Sequence, residues 1–138
     1  MNTAQAKAEL REYRKLNELI ISKQIIFAKL KIRMTNLKAM NSPRETIKQK
    51  IIRAEREYER RSIELENLVT YSENLRKKIN AKLEQMDSFY SKILRLKYFN
   101  GYSLLLMSTI LCYEYTWLCK LHARAVKKYA SIQIKNIE

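Results

Sequence analysis

One glycine, Gly101, and one proline, Pro43, are all the backbone punctuation in these 138 residues. Tight reversals draw heavily on both residue types, so a chain almost without them is left with few turns and long uninterrupted segments. Leu, Ile, Lys, Glu and Arg fill those segments, a composition that favours helix. The expected fold class is all-α: a long N-terminal antiparallel helical hairpin, coiled-coil-like, followed by a small C-terminal helix-turn-helix unit.

Periodicity supplies the hairpin. Between Thr3 and Asn41, Tyr13, Ile20, Phe27 and Met34 recur every seventh residue beside Leu16, Leu30 and Leu37, with Lys23 in the one missed slot. Such a repeat is a heptad seam. Ile21, Ile25, Ala28 and Ile32 form a second apolar stripe on an adjacent face, more than a two-helix seam needs, which predicts a further partner. At Ser42-Pro43-Arg44-Glu45 the residues spell a capping box with proline at the first helical position, so a new helix is expected there. Ile47, Ile51, Tyr58, Leu65, Ile79 and Met86, with Ala54, Leu68 and Leu75, continue a second series, interrupted at Arg61, Ser72 and Lys82. Two long helices joined by so short a turn fold back on each other. The expected division is residues 1–87 as hairpin and partner arm, and 88–138 as the small helix-turn-helix unit.

Charge is uneven. The chain carries 28 Lys and Arg against 14 Asp and Glu, a formal net charge of +14. Residues 41–87 hold 11 basic and 9 acidic residues, many at i,i+4 spacing (Arg53, Glu57, Arg61), and nearly neutralise themselves. Residues 1–40, with 9 basic and 3 acidic, and 88–138, with 8 and 2, hold the surplus. Excess positive charge at both ends points to a polyanion as partner. No charged-then-apolar leader opens the chain, and no apolar run nears the ~18 residues of a membrane span; the expected setting is cytoplasmic, with no membrane partner. Cys112 and Cys119 are then expected as free thiols.

The last third reads as three helices. Ser88 is a plausible cap for a helix over 89–99, whose Tyr90, Ile93, Leu94, Lys97 and Tyr98 follow i, i+3, i+4 spacing, and Asn100-Gly101 tolerates the left-handed angles that end it. Ser103 offers a cap for a short helix through Leu111, Cys112-Tyr113 a corner, and a basic helix follows from about Glu114 to Ala130. Helix, short turn and helix is the arrangement that lays its second helix in a major groove.

Arg95-Leu96-Lys97-Tyr98-Phe99, Gly101, Ser103-Leu104, Leu111, Trp117-Leu118, Leu121-His122 and Arg124-Ala125-Val126-Lys127-Lys128 together resemble region 4 of bacterial sigma-70 factors. In full-length architecture the chain is similar to phage and prophage late transcription regulators of the RinA/ArpU type. The resemblance implies sequence-specific binding of double-stranded DNA at a promoter or operator in a bacterial host cell, with host RNA polymerase and a second protomer as further partners. By position, it sets Tyr115, Thr116, Cys119 and Lys120 toward base edges and Arg124, Lys127 and Lys128 toward phosphates, with Leu118, Leu121, Ala125 and Val126 packing inward. Two departures stand out. Cys112 replaces the usual corner glycine, and Glu114 replaces a capping Ser or Thr; Glu114 either reads a cytosine amine or marks a weakened DNA face. Leu105, Leu106 and Ile110 stand where the family is acidic and exposed, so with Ile21, Ile25 and Ile32 they are candidate protein-interface residues.

Enzymatic parts are missing from the pattern. A single glycine leaves no phosphate-cradling loop, and His122, the only histidine, has no evident nucleophile with an orienting carboxylate. Neither cofactor nor metal nor small-molecule substrate is expected, because Cys112, Cys119 and His122 leave zinc short of a fourth ligand. Ordinary packing or a phosphate contact is expected of His122, and Trp117 is expected to wedge between helices. The competing classes are a DNA-packaging adaptor, like a small terminase subunit, and a sigma mimic that grips polymerase or a repressor without reading DNA.

Overall fold

A computed structural model describes Met1–Ile132. The chain is all-α: α1 Thr3–Ala39, α2 Glu45–Glu84, α3 Ser88–Leu94 continuing into a π-helical turn Arg95–Phe99, α4 Leu104–Leu111 and α5 Tyr115–Ser131, with no strand among the described residues. No helix there is long and apolar enough to cross a membrane.

Packing divides the described chain into Leu16–Ser72 and a second unit made of Met1–Lys15 with the described residues from Glu73 onward. The boundary expected between 87 and 88 is therefore not where packing changes. Ala6, Leu10 and Tyr13 of α1 and Leu75, Ile79 and Leu83 of α2 are buried in one core with Leu94, Tyr98, Ala125, Val126, Tyr129 and Ala130. Burying a side chain such as Leu10 or Ile79 contributes about 1.5–3 kcal/mol, so the ends of the two long helices belong energetically with the C-terminal helices.

Within Leu16–Ser72, α1 and α2 run antiparallel. Phe27 stacks on Tyr58 with ring centroids 4.6 Å apart, Lys23 pairs with Glu64, and Lys38 reaches Glu55 at 2.9 Å. Ser72, a gap in the apolar repeat, donates its hydroxyl to Asn17 Oδ1 at 3.0 Å, a contact available in only one register. Glu57 pairs with Arg60 and Arg61. The second stripe is uncovered: Ile21, Ile25 and Ile32 are all more than half exposed.

The break between α1 and α2 differs in detail from the expected capping box. Asn41 takes a left-handed φ of 43°, Ser42 Oγ accepts from the Arg44 amide at 3.2 Å, and α2 begins at Glu45. The Glu45 carboxylate accepts from Gln49 Nε2, one turn on.

In the other unit, Lys82 is the third gap in the repeat and is almost fully buried. Its amino group donates to Glu9 Oε1 at 2.9 Å and lies 5.0 Å from the centre of the Tyr129 ring. Glu9 also accepts from the Tyr129 hydroxyl and pairs with Lys78 at 3.2 Å. Burial alone would raise the Glu9 carboxyl, but hydrogen bonds from Tyr129, Lys82 and Lys78 outweigh it and hold the group below its ordinary value. Burial, then the bond to Glu9, pushes the Tyr129 hydroxyl upward, so it stays protonated as a donor.

Candidate nucleic-acid interface

α3 is capped by Asp87, whose carboxylate accepts from the Phe89 amide at 2.9 Å, so Ser88 is the first helical residue rather than the cap. The helix expected over 89–99 widens at Arg95–Phe99 into a π-helical turn closed by Asn100 N–H to the Arg95 carbonyl at 3.0 Å. Gly101, at φ +77°, then reverses the chain and Tyr102 N–H returns to the Leu96 carbonyl. Ser103 caps α4 by accepting from the Leu106 amide at 3.1 Å.

α4 and α5 are separate helices. The corner is Cys112, at the left-handed φ of 58°, which lets Tyr113 N–H close on the Ser108 carbonyl at 3.0 Å. This is the Schellman arrangement, normally served by glycine because a side chain there costs about 1–2 kcal/mol. Glu114 stands at the N-cap of α5 with no side-chain capping bond, its charge close to the positive end of the helix. Ile93, Met107, Leu118 and Leu121 form a small core that joins α3, α4 and the first half of α5; the second half of α5 packs on the ends of α1 and α2.

That packing fixes which side of α5 faces water. Leu118, Leu121, His122, Ala125, Val126, Tyr129 and Ala130 are buried. Tyr115, Thr116, Lys120, Arg124, Lys127 and Lys128 are exposed, and Cys119 is half-buried at one border. The neighbouring Cys119 thiol, one turn on, holds the Tyr115 hydroxyl pKa above its ordinary value. Arg124, Lys127 and Lys128 line one shallow hollow of about 340 Å³ with Ser131. No carboxylate among the described residues pairs with any of the four basic side chains of α5.

Trp117, expected as a wedge in a half-buried seat, keeps one face open. It is 43% exposed, with the Arg124 guanidinium over its ring at 5.2 Å, because its position on α5 falls on the rim of the exposed arc. Lys128 lies similarly over Tyr90 at 4.9 Å. Both cations are thus held by aromatic faces rather than by acids, which orients them while leaving their charge uncancelled.

His122 is buried and shares a 3.0 Å hydrogen bond between Nε2 and the Tyr98 hydroxyl. Burial, then the charges of Lys97, Lys7 and Arg11, lower its pKa to about 4, so the ring is neutral near pH 7 and takes the packing role, not the phosphate role. Cys112 and Cys119 are free thiols. Among the described residues no cluster of three His, Cys, Asp or Glu side chains could hold a metal ion.

The fold also gathers cations that the sequence reading did not single out. Lys7, Arg11 and Arg14 lie on one flank of α1 at i, i+4 and i+7, and Arg14 Nη2 donates to the Gly101 carbonyl at 3.3 Å. Lys97, in the π-helical turn, has its pKa lowered by burial first and then by Arg11, Lys7 and Arg14. The spacing within α1 was visible in the sequence; its meeting with Lys97 was not.

The interface candidates are open in the single chain. Leu105 is 66% exposed, and Leu106 and Ile110 are about half exposed, so nothing in the described residues supplies the cover their apolarity calls for. Comparison with family models, curated proteins and solved structures returns no match to this chain.

Proposed function

We propose that this protein binds double-stranded DNA through its C-terminal helix-turn-helix and acts as a sequence-specific transcription regulator of the phage late-gene type, with α5 as the recognition helix. One observation carries the reading. α5 is a separate helix after the Cys112–Glu114 corner, and its basic arc of Lys120, Arg124 and Lys127 faces solvent with no acid partner among the described residues. A masked arc, or one rod running through residues 112 and 113, would have removed the basis for it. Tyr115, Thr116, Cys119 and Lys120, nearer the start of α5, suit base edges; Arg124, Lys127 and Lys128 suit phosphates. Host RNA polymerase is the partner proposed for Leu105, Leu106 and Ile110, because three exposed aliphatic side chains on one short helix fit a protein surface better than a phosphate backbone.

The test is binding to promoter-proximal duplexes across a salt series. Lys120→Ala is expected to change the ranking among sequences. Lys127→Ala is expected to weaken all of them alike and to flatten the slope of log affinity against log salt by about 1. If neither substitution alters binding, α5 is not the recognition helix. Polymerase capture that persists without any duplex binding would favour the sigma-mimic reading instead.

A further inference from the structure

The basic flank of α1 raises a physical question. Core positions Ala6, Leu10 and Tyr13 fix the orientation of the first turns of α1, and the Tyr13 ring meets Phe99 edge-on at 5.1 Å. Arg14 is held on Gly101, and Tyr98 is held on His122 of α5 at 3.0 Å. These contacts set the flank of α1 that carries Lys7 and Arg11 beside the π-helical turn of Lys97, close enough for Lys7, Arg11 and the Cys119 thiol of α5 to act on the Lys97 charge. Lys128, which lies over Tyr90, is on the opposite border of the exposed arc.

Among the described residues no carboxylate pairs with Lys7, Arg11 or Lys97. Glu9 lies between Lys7 and Arg11 in sequence but projects from the other flank of α1, where it is occupied by Tyr129, Lys82 and Lys78. Lys7 and Arg11 have no ion-pair partner among the described residues, and Lys97 has only the face of Tyr98 at 5.7 Å. The mutual repulsion is strong enough to lower Lys97 and His122 once burial has weakened the charged forms. Like charges brought together this way destabilise the fold unless an anion sits on them.

We infer that Lys7, Arg11 and Lys97 form a second phosphate-binding site, which holds one strand's backbone beside α5 while Arg124, Lys127 and Lys128 hold the other. The inference rests on the proposed duplex binding and adds to it the N-terminal turns of α1. A recognition helix in a major groove has a phosphate backbone along each border; the Lys7–Arg11–Lys97 group lies toward one border of the exposed arc, and Lys128 stands at the other with Arg124 and Lys127 leading up to it. The site carries no sequence information, since it meets only phosphodiester oxygens.

The probe is a mixed-sequence duplex spanning two helical turns, followed by fluorescence anisotropy across a salt series. Lys7→Gln/Arg11→Gln/Lys97→Gln is expected to bind at least tenfold more weakly at low salt and to lose about 2 to 3 from the salt slope, with the ranking among sequences unchanged. Arg11→Gln alone, at an exposed position, is expected to lose about 1, and Arg11→Lys to retain the wild-type slope. In the triple variant the His122 imidazole is expected to titrate higher than in wild type but still below 6.5, with the helical circular dichroism of wild type retained; the partial shift reports that the cluster was assembled, and the circular dichroism that the fold was kept. An unchanged slope, in variants whose His122 titration has moved, overturns the second site while leaving α5 as the reader. Absence of any duplex binding by wild type overturns both.

Discussion

Removing the Glu9 carboxylate tests how the ends of the two long helices are joined to α5. Its side chain is 10% exposed and that of its partner Lys82 is 6% exposed, their charged atoms 2.9 Å apart. Stripping one member from a buried ion pair costs about 3–5 kcal/mol, chiefly because the other charge is left unpaired in a poor solvent. Tyr129 loses its acceptor at the same time, at about 1–3 kcal/mol for a buried donor, although the two losses share one carboxylate and do not add. The Tyr129 ring still faces the Lys82 amine, which offsets about 1 kcal/mol. Glu9→Ala is therefore expected to destabilise by about 3–4 kcal/mol, a large share of the 5–15 kcal/mol typical of a domain. Urea unfolding followed by circular dichroism and by the fluorescence of Trp117, the chain's single tryptophan, measures it. Lys82→Met, costly in wild type, is expected to cost little or to stabilise in the Glu9→Ala background, giving a coupling of about 2 kcal/mol or more. The pH dependence has a definite sign. The folded carboxyl titrates below its ordinary 4.5, so the unfolded chain takes up the proton first; the wild-type advantage is complete above about pH 4.5 and fades as pH falls through the folded value. A cost under 1 kcal/mol, or strict additivity with Lys82→Met, would refute the buried-pair reasoning.

His122 contributes over a different pH range. Its pKa falls from 6.5 to about 4 in the fold, so on acidification the unfolded chain is protonated first and stability drops by about 2–3 kcal/mol between pH 6.5 and 4. As the only histidine, its NMR titration is unambiguous, and a midpoint near 6.5 would show that the ring is not buried against Tyr98. At the corner, Cys112→Gly removes a side chain from φ 58° and is expected to stabilise by up to about 1 kcal/mol once the extra backbone entropy of glycine is subtracted; a lower melting temperature would mean that the left-handed angle is not held in solution.

Much of the architecture was legible because it is local. Helix class follows from the near absence of Gly and Pro, the α4 cap from Ser103, and the end of the π-helical turn from Gly101; each depends on residues within one turn of another. The inward face of α5, Leu118, Leu121, Ala125 and Val126, was what the resemblance implied, and all four are buried. Asp87 rather than Ser88 as the α3 cap, and the widened turn at Arg95–Phe99, are small energetic choices between neighbours that spacing does not resolve.

What only the tertiary structure decided is where distant polar groups meet. Ser72 and Lys82 looked like flaws in a heptad, and they are the residues paired across to Asn17 and Glu9. The assignment of the ends of α1 and α2 to the same core as α5, and the meeting of Lys7 and Arg11 with Lys97, likewise have no signature along the chain. The sequence alone determined helices, caps and the sign of the charge, because those are set by short-range sterics and composition. Folding decided which charges are neutralised and which are left open to a partner, because Coulombic interaction depends on distance in space and on burial, and neither can be read from separation along the chain.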